Sequence, residues 1–180
     1  EREAEEKFLA MREKIAPKTL PVKFTRKIGT LVPDIESFVI EKDIDVVVMG
    51  TQQNGTHTVH TSNTQSAVRN CSVPIIALRK DTDAKIKNIV VPVVPGQHDE
   101  KFIKALRTLQ SFFNAKIHLL WVNTPELFKS DKSSKADILR YADNAGLNNY
   151  SLNIRSDYTA EAGILQFSKE ADADMIAMGT

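Results

Sequence analysis

The chain repeats itself once, at long range and without a gap. Residues Asp45-Val46-Val47-Val48-Met49-Gly50-Thr51 return as Asp174-Met175-Ile176-Ala177-Met178-Gly179-Thr180, an offset of 129 residues. The register holds upstream: Ile35 meets Ile164, Phe38 meets Phe167, Glu41 meets Glu170 and Asp43 meets Asp172. Arg26 meets Arg155 and Thr30 meets Thr159. A period this long is a duplicated domain, since solenoid units run only ~20–50 residues. With 180 residues the chain holds less than one and a half copies, and Glu1 corresponds to Ser130. The expectation is a piece of a tandem two-domain protein, trimmed at exposed loops, without the start of copy one and the end of copy two.

Composition narrows the function classes. A hydrophobic content of 42% with 26% charged residues is that of a globular protein. A net charge of +1 supplies no field for nucleic acid or an anionic membrane. No apolar run approaches the ~18 residues that span a bilayer. The single Cys71 forms no internal disulfide and fits a reducing compartment, so a cytoplasmic location is expected. It reads as a small buried hydrophobe at a helix-to-strand junction.

Apolar spacing predicts helices over residues 1–16 and Leu31–Glu41, with Pro33 in the first turn of the second. A short strand is expected at Val22–Lys27. Asp45–Met49 holds an apolar run typical of a strand buried on both faces. A polar loop follows to about Thr61. Then come a helix over Ser62–Asn70, capped by Ser62 or Asn63, and a buried strand over Val73–Leu78. The second half reads as strand Asn88–Val94, helix Glu100–Phe113 and strand Ala115–Val122. A mobile polar loop is expected over Pro125–Ser134, then helix Ala136–Ala145 with Gly146 as its left-handed cap. Strand Tyr150–Arg155, helix Thr159–Ala171 and strand Met175–Met178 complete the pattern.

Strict alternation of apolar strands with amphipathic helices specifies an α/β fold, a Rossmann-like doubly wound parallel sheet covered on both faces. The repeat divides it into residues 1–80, a linker at 81–85, and residues 86–180, as two incomplete domains. Ligand sites in such sheets lie at the carboxyl ends of the strands, here after Gly50, Val94 and Val122. At Gly50 a strand passes into a polar, Gly-containing loop and then a hydroxyl-rich helix start. Backbone N–H groups and the helix dipole make that layout suited to phosphate. The competing reading is a plain surface loop with a well-capped helix, and the segment is neither a Walker loop nor a GxGxxG fingerprint.

Together, several segments carry a specific resemblance. They are Asp45 to Thr51, Ser62-Asn63-Thr64, Val73-Pro74-Ile75-Ile76-Ala77-Leu78-Arg79, Ile89-Val90-Val91-Pro92-Val93, Lys116 to Val122 and Met175 to Thr180. The combined pattern resembles the universal stress protein (UspA-like) family, in a tandem form covering essentially the whole chain. The resemblance implies a stress-response binding module acting through assembly and nucleotide sensing. The alternative it implies is an ATP-binding protein with weak ATP hydrolysis. ATP or another adenine nucleotide would be the ligand, held at Gly50, Thr51, Gly55, Ser62 and Asn63. Partners would be a second copy of the chain or a complementary fragment, with no nucleic acid and no membrane.

The family's ATP-binding members carry G-x2-G-x9-G-[S/T] after the fourth strand and an Asp at the end of the first. Here Gly50 matches the first glycine, Gln53 occupies the second position, and Thr61 falls near the third with Ser62 as the hydroxyl. The acidic position in copy two is Val94. Gln53 obstructs close backbone approach to phosphates, and Val94 removes a ribose or adenine anchor. The expectation is no ATP in the second-copy crevice and weak or no ATP at the Gly50 loop. His57 and His60 lack the third ligand that zinc requires, so no metal site is assigned. Asp43 and Asp45 read as a solvated turn, and spacing offers no nucleophile–base pair, so no catalytic residue is assigned.

Overall fold

The computed structural model describes residues 5–10, 22–50, 63–78, 85–94 and 99–179. Residues 5–10 are helical (α1). They are followed by α2 (Leu31–Lys42), β1 (Val47–Gly50), α3 (Asn63–Asn70) and β2 (Ile75–Leu78). The second half contains β3 (Asn88–Pro92), α4 (Glu100–Phe113), β4 (Lys116–Asn123), α5 (Asp131–Ala145), β5 (Tyr150–Ser156), α6 (Ala160–Glu170) and β6 (Met175–Ile176). Strands and helices alternate from α2 to β2 and again from β3 to β6, and every described pairing is parallel. The α/β reading of the sequence is therefore the observed fold.

Two sheets result. One is β1-β2; the other has the order β5-β4-β3-β6. From β3 the chain winds outward to β4 and β5, then crosses back to place β6 on the opposite side of β3. That reversal puts the switch point at β3. The core lies on one face of the larger sheet. Alternate residues Ile89, Val91 and Val93 of the β3 segment and Ile117, Leu119 and Trp121 of β4 point to it. Ile103 and Leu106 of α4 and Ile138, Ala142 and Ala145 of α5 close over them. Burying each such side chain contributes ~1.5–3 kcal/mol. The opposite face carries Val90 and Leu120, both fully buried, and α6 packs there through Gly163. A Cβ at Gly163 would lie 2.6 Å from Val122 Cγ1, so the helix approaches this closely only because the side chain is absent.

Helix ends follow local chemistry. Asp99 caps α4 by accepting from the amides of Lys101 and Phe102, at 2.9 and 3.1 Å. Thr159 caps α6 through Ala162 N. Gly146 ends α5 in the left-handed region, as expected, with φ 58°.

Several expectations are corrected. Val22–Lys27 is not a strand: residues 22–30 are irregular. Its repeat counterpart is β5, which is held by a ladder to β4. Among the described residues of the first half nothing plays the part of β4. β1 is not buried on both faces, because Val48 is 56% exposed. β2 is likewise only partly covered. The polar stretch 125–134 is not a loop throughout. Asp131 to Ser134 form the first turn of α5, where Ser130 caps by accepting from Ser133 N and Asp131 favours the helix dipole. β6 is shorter than Met175–Met178. Cys71 is half-buried at the α3–β2 junction, and burial holds its thiol above the ordinary range. Among the described residues no helix is long and apolar enough to cross a membrane, and no cluster of potential metal ligands occurs.

Candidate functional site

The carboxyl ends of β3, β4, β5 and β6 form one rim. At β3 the ladder continues past Pro92, with Val93 N donating to Leu120 O at 2.8 Å. Val94 follows at the rim and is 51% exposed. An apolar side chain therefore stands in solvent contact at the switch-point strand. At β6 the chain leaves through Met178, also exposed, to Gly179.

The end of β4 is fixed by a clamp that spacing did not suggest. Asn123 is buried, and its Oδ1 accepts from Trp121 Nε1 at 2.8 Å and from Lys129 N at 3.0 Å. Its Nδ2 donates to Lys129 O at 3.0 Å. A buried carboxamide with these partners satisfied ties the loop after β4 back onto the strand. Lys129 Nζ then lies 4.9 Å from the centre of the Trp121 ring and 2.7 Å from Asp137 Oδ2. The hydrogen bond from Lys129 holds the Asp137 carboxyl below its usual range. This ammonium is engaged by an aromatic face and a carboxylate. The neighbouring loop is tied in by Asp157 N, which donates to Asn123 O at 2.9 Å. The one legible signal was an amide residue directly after an apolar strand ending in Trp121-Val122.

At the end of β1, Gly50 is exposed, and an added Cβ would meet no atom of the described residues within 4 Å. Asn63 is the first residue of α3 and is exposed. Gly50 and Asn63 thus bound residues 51–62, which lie outside the described residues. Thr51, Gly55 and Ser62 lie outside the described residues, as do His57 and His60, so the gathering of all five positions is not described.

A second polar group spans three strands on the α6 face. His118 Nδ1 is 3.0 Å from Ser151 Oγ, and Nε2 is 3.2 Å from Asn88 Oδ1. Asn153 Nδ2 donates to Ser151 Oγ at 3.1 Å. The ring meets Phe167 edge-on, at 6.2 Å between centroids. Burial, with a smaller contribution from Lys116, depresses the imidazole pKa. The register that sets Val90, His118 and Ser151 side by side builds this ladder. It lies away from the carboxyl rim, near the amino ends of the strands.

The fold matches solved structures. A universal stress protein from Archaeoglobus fulgidus DSM 4304 superposes with a TM-score of 0.75, over 99% of this chain and 65% of that one, at 15% identity. The fold is that of the universal stress proteins. A functionally unknown protein from Pseudomonas aeruginosa PAO1 superposes with a TM-score of 0.72, over 100% of this chain and 67% of that one, at 14% identity. The chain thus spans about two thirds of the length of these two solved structures. No family model and no curated protein matches the sequence.

Proposed function

We propose that this chain is a stress-response binding module of the universal stress protein type, which holds a small adenine nucleotide and works by assembly. The carrying observation is the reversal of strand order at β3, with the carboxyl rim beside it. In this reading residues 1–80 and 86–180 belong to two tandem units joined at 81–85. The 129-residue repeat and the division into two sheets support that division. The loop between Gly50 and Asn63 is the phosphate-facing element, by its strand–loop–helix layout.

The nucleotide is held weakly. Val94 offers no acceptor at the rim, and Gln53 fills a position where glycine would let backbone reach phosphate. Each charge-assisted hydrogen bond contributes ~1.5–3 kcal/mol net. Removing two shifts a dissociation constant from about micromolar to about millimolar. Titration calorimetry with ATP and AMP tests this reading. Binding in the millimolar range that weakens in Gly50→Val agrees with it. Gly50→Val suits the purpose because none of the described residues packs against that position. Unchanged binding in that variant would remove the Gly50 loop from the site.

A further inference from the structure

The polar group on the α6 face has a direction. Asn88 Nδ2 donates to the Asp172 carbonyl at 3.3 Å, and a carbonyl can only accept. That contact turns Asn88 Oδ1 toward the imidazole, 3.2 Å from His118 Nε2. An amide oxygen also only accepts, so Nε2 carries the ring proton. Nδ1 is then a lone pair, and it lies 3.0 Å from Ser151 Oγ. The Ser151 hydroxyl therefore donates into it. On the other side, Asn153 is oriented by the Leu119 carbonyl, to which Nδ2 donates at 3.1 Å. The same Nδ2 donates to Ser151 Oγ at 3.1 Å. It occupies an Oγ lone pair and leaves the hydroxyl proton to His118.

Each link matches what a nucleophile needs. A serine hydroxyl is weak by itself and is activated by an adjacent base within ~2.6–3.2 Å, itself oriented by a third group. His118 has the position of the base and Asn88 that of the orienting group. Burial, more than the nearby Lys116 charge, holds the imidazole below its ordinary pKa. Above neutral pH its Nδ1 is therefore free to take a proton. Asn88, His118, Ser151 and Asn153 are all half-buried, so the group is not sealed from small molecules in solution.

We infer that Ser151 is a nucleophilic serine, with His118 as its general base and Asn88 as the positioning residue, and that it takes small acyl esters with good leaving groups. The site is distinct from the nucleotide rim, because it lies toward the amino ends of the strands. Ser151 Oγ attacks the ester carbonyl carbon while its proton passes to His118 Nδ1. The Oγ–C bond forms and the bond from the carbonyl carbon to the leaving oxygen breaks. Nδ1 then returns the proton to that oxygen. The products are acyl-Ser151 and an alcohol. Water attacking by the same route, with its proton passing through Nδ1 to Ser151 Oγ, releases the carboxylic acid and restores the serine.

The test treats the intact chain with p-nitrophenyl acetate at about pH 7.5, above the ordinary imidazole pKa. A burst of about one p-nitrophenolate per chain is expected, with the acetyl group placed on Ser151 by peptide mass spectrometry. Ser151→Ala should abolish the burst. His118→Gln should slow it by about 100-fold or more, in a variant whose circular dichroism matches the parent. Two readings need no variant. Nitrogen NMR shifts of the His118 ring should report the Nε2–H tautomer that Asn88 imposes, and the burst should vanish in the chain unfolded by urea. A folded parent without acetyl on Ser151 would overturn the inference and leave a ladder that only joins strands. So would an Nδ1–H tautomer, acetylation of Ser151 that survives unfolding, or a burst unchanged in folded His118→Gln.

Discussion

Two residues set the character of the rim and of the sheet beneath it. Val94 is half-exposed at the end of β3, so an acidic side chain there would remain hydrated and cost little stability. Val94→Asp is expected to tighten nucleotide binding by about tenfold, the equivalent of one hydrogen bond of ~1.4 kcal/mol. Calorimetry on the variant checks it. His118 lies in a half-buried ladder with Ser151 and Asn88. Its folded pKa lies below the ordinary 6.5, mainly because burial penalises the imidazolium. Between the two values the unfolded chain binds more protons than the folded one. The His118 contribution is therefore fully present above about pH 6.5 and declines as pH falls toward the folded pKa. Denaturant midpoints measured from pH 7.5 to 5 should fall, and His118→Gln should flatten that part of the profile.

At the scale of elements, stability rests on close approach and on caps. Gly163 allows α6 to sit against Val122 and Asp157. Gly163→Ala forces a methyl against the Val122 side chain, and overpacking of this kind costs ~1–3 kcal/mol. A lowered thermal midpoint with unchanged helix content would agree; a raised midpoint would mean that the helix propensity gained outweighs the clash. Most elements of the second half were legible from apolar spacing. α4 falls on Glu100–Phe113 as read, because Asp99, the amphipathic run and Asn114 mark both ends. The errors have a common cause in tertiary partners. Val22–Lys27 has strand-like residues but no described neighbour to pair with. The first turn of α5 looked like loop because Lys, Ser and Asp dominate it, yet Ser130 and the Asn123 clamp order it. Those bonds join residues whose proximity spacing alone does not reveal. The His118 ladder was illegible for the same reason, since Asn88, His118 and Ser151 meet only through strand register.

At the scale of the whole molecule, the fold is that of the universal stress proteins, and the proposed nucleotide rim carries exposed Val94 where that proposal expects an acidic anchor. In the proposed function, the reversal of strand order at β3 marks where a ligand would sit. The 129-residue repeat returns the strand-end pair Gly50-Thr51 as Gly179-Thr180. The most direct test is ATP titration of the intact chain by calorimetry, beside Val94→Asp and Gly50→Val. The account predicts a dissociation constant of about millimolar for the parent, tighter binding in Val94→Asp and weaker binding in Gly50→Val. Micromolar binding by the parent, unaltered by either substitution, would contradict it.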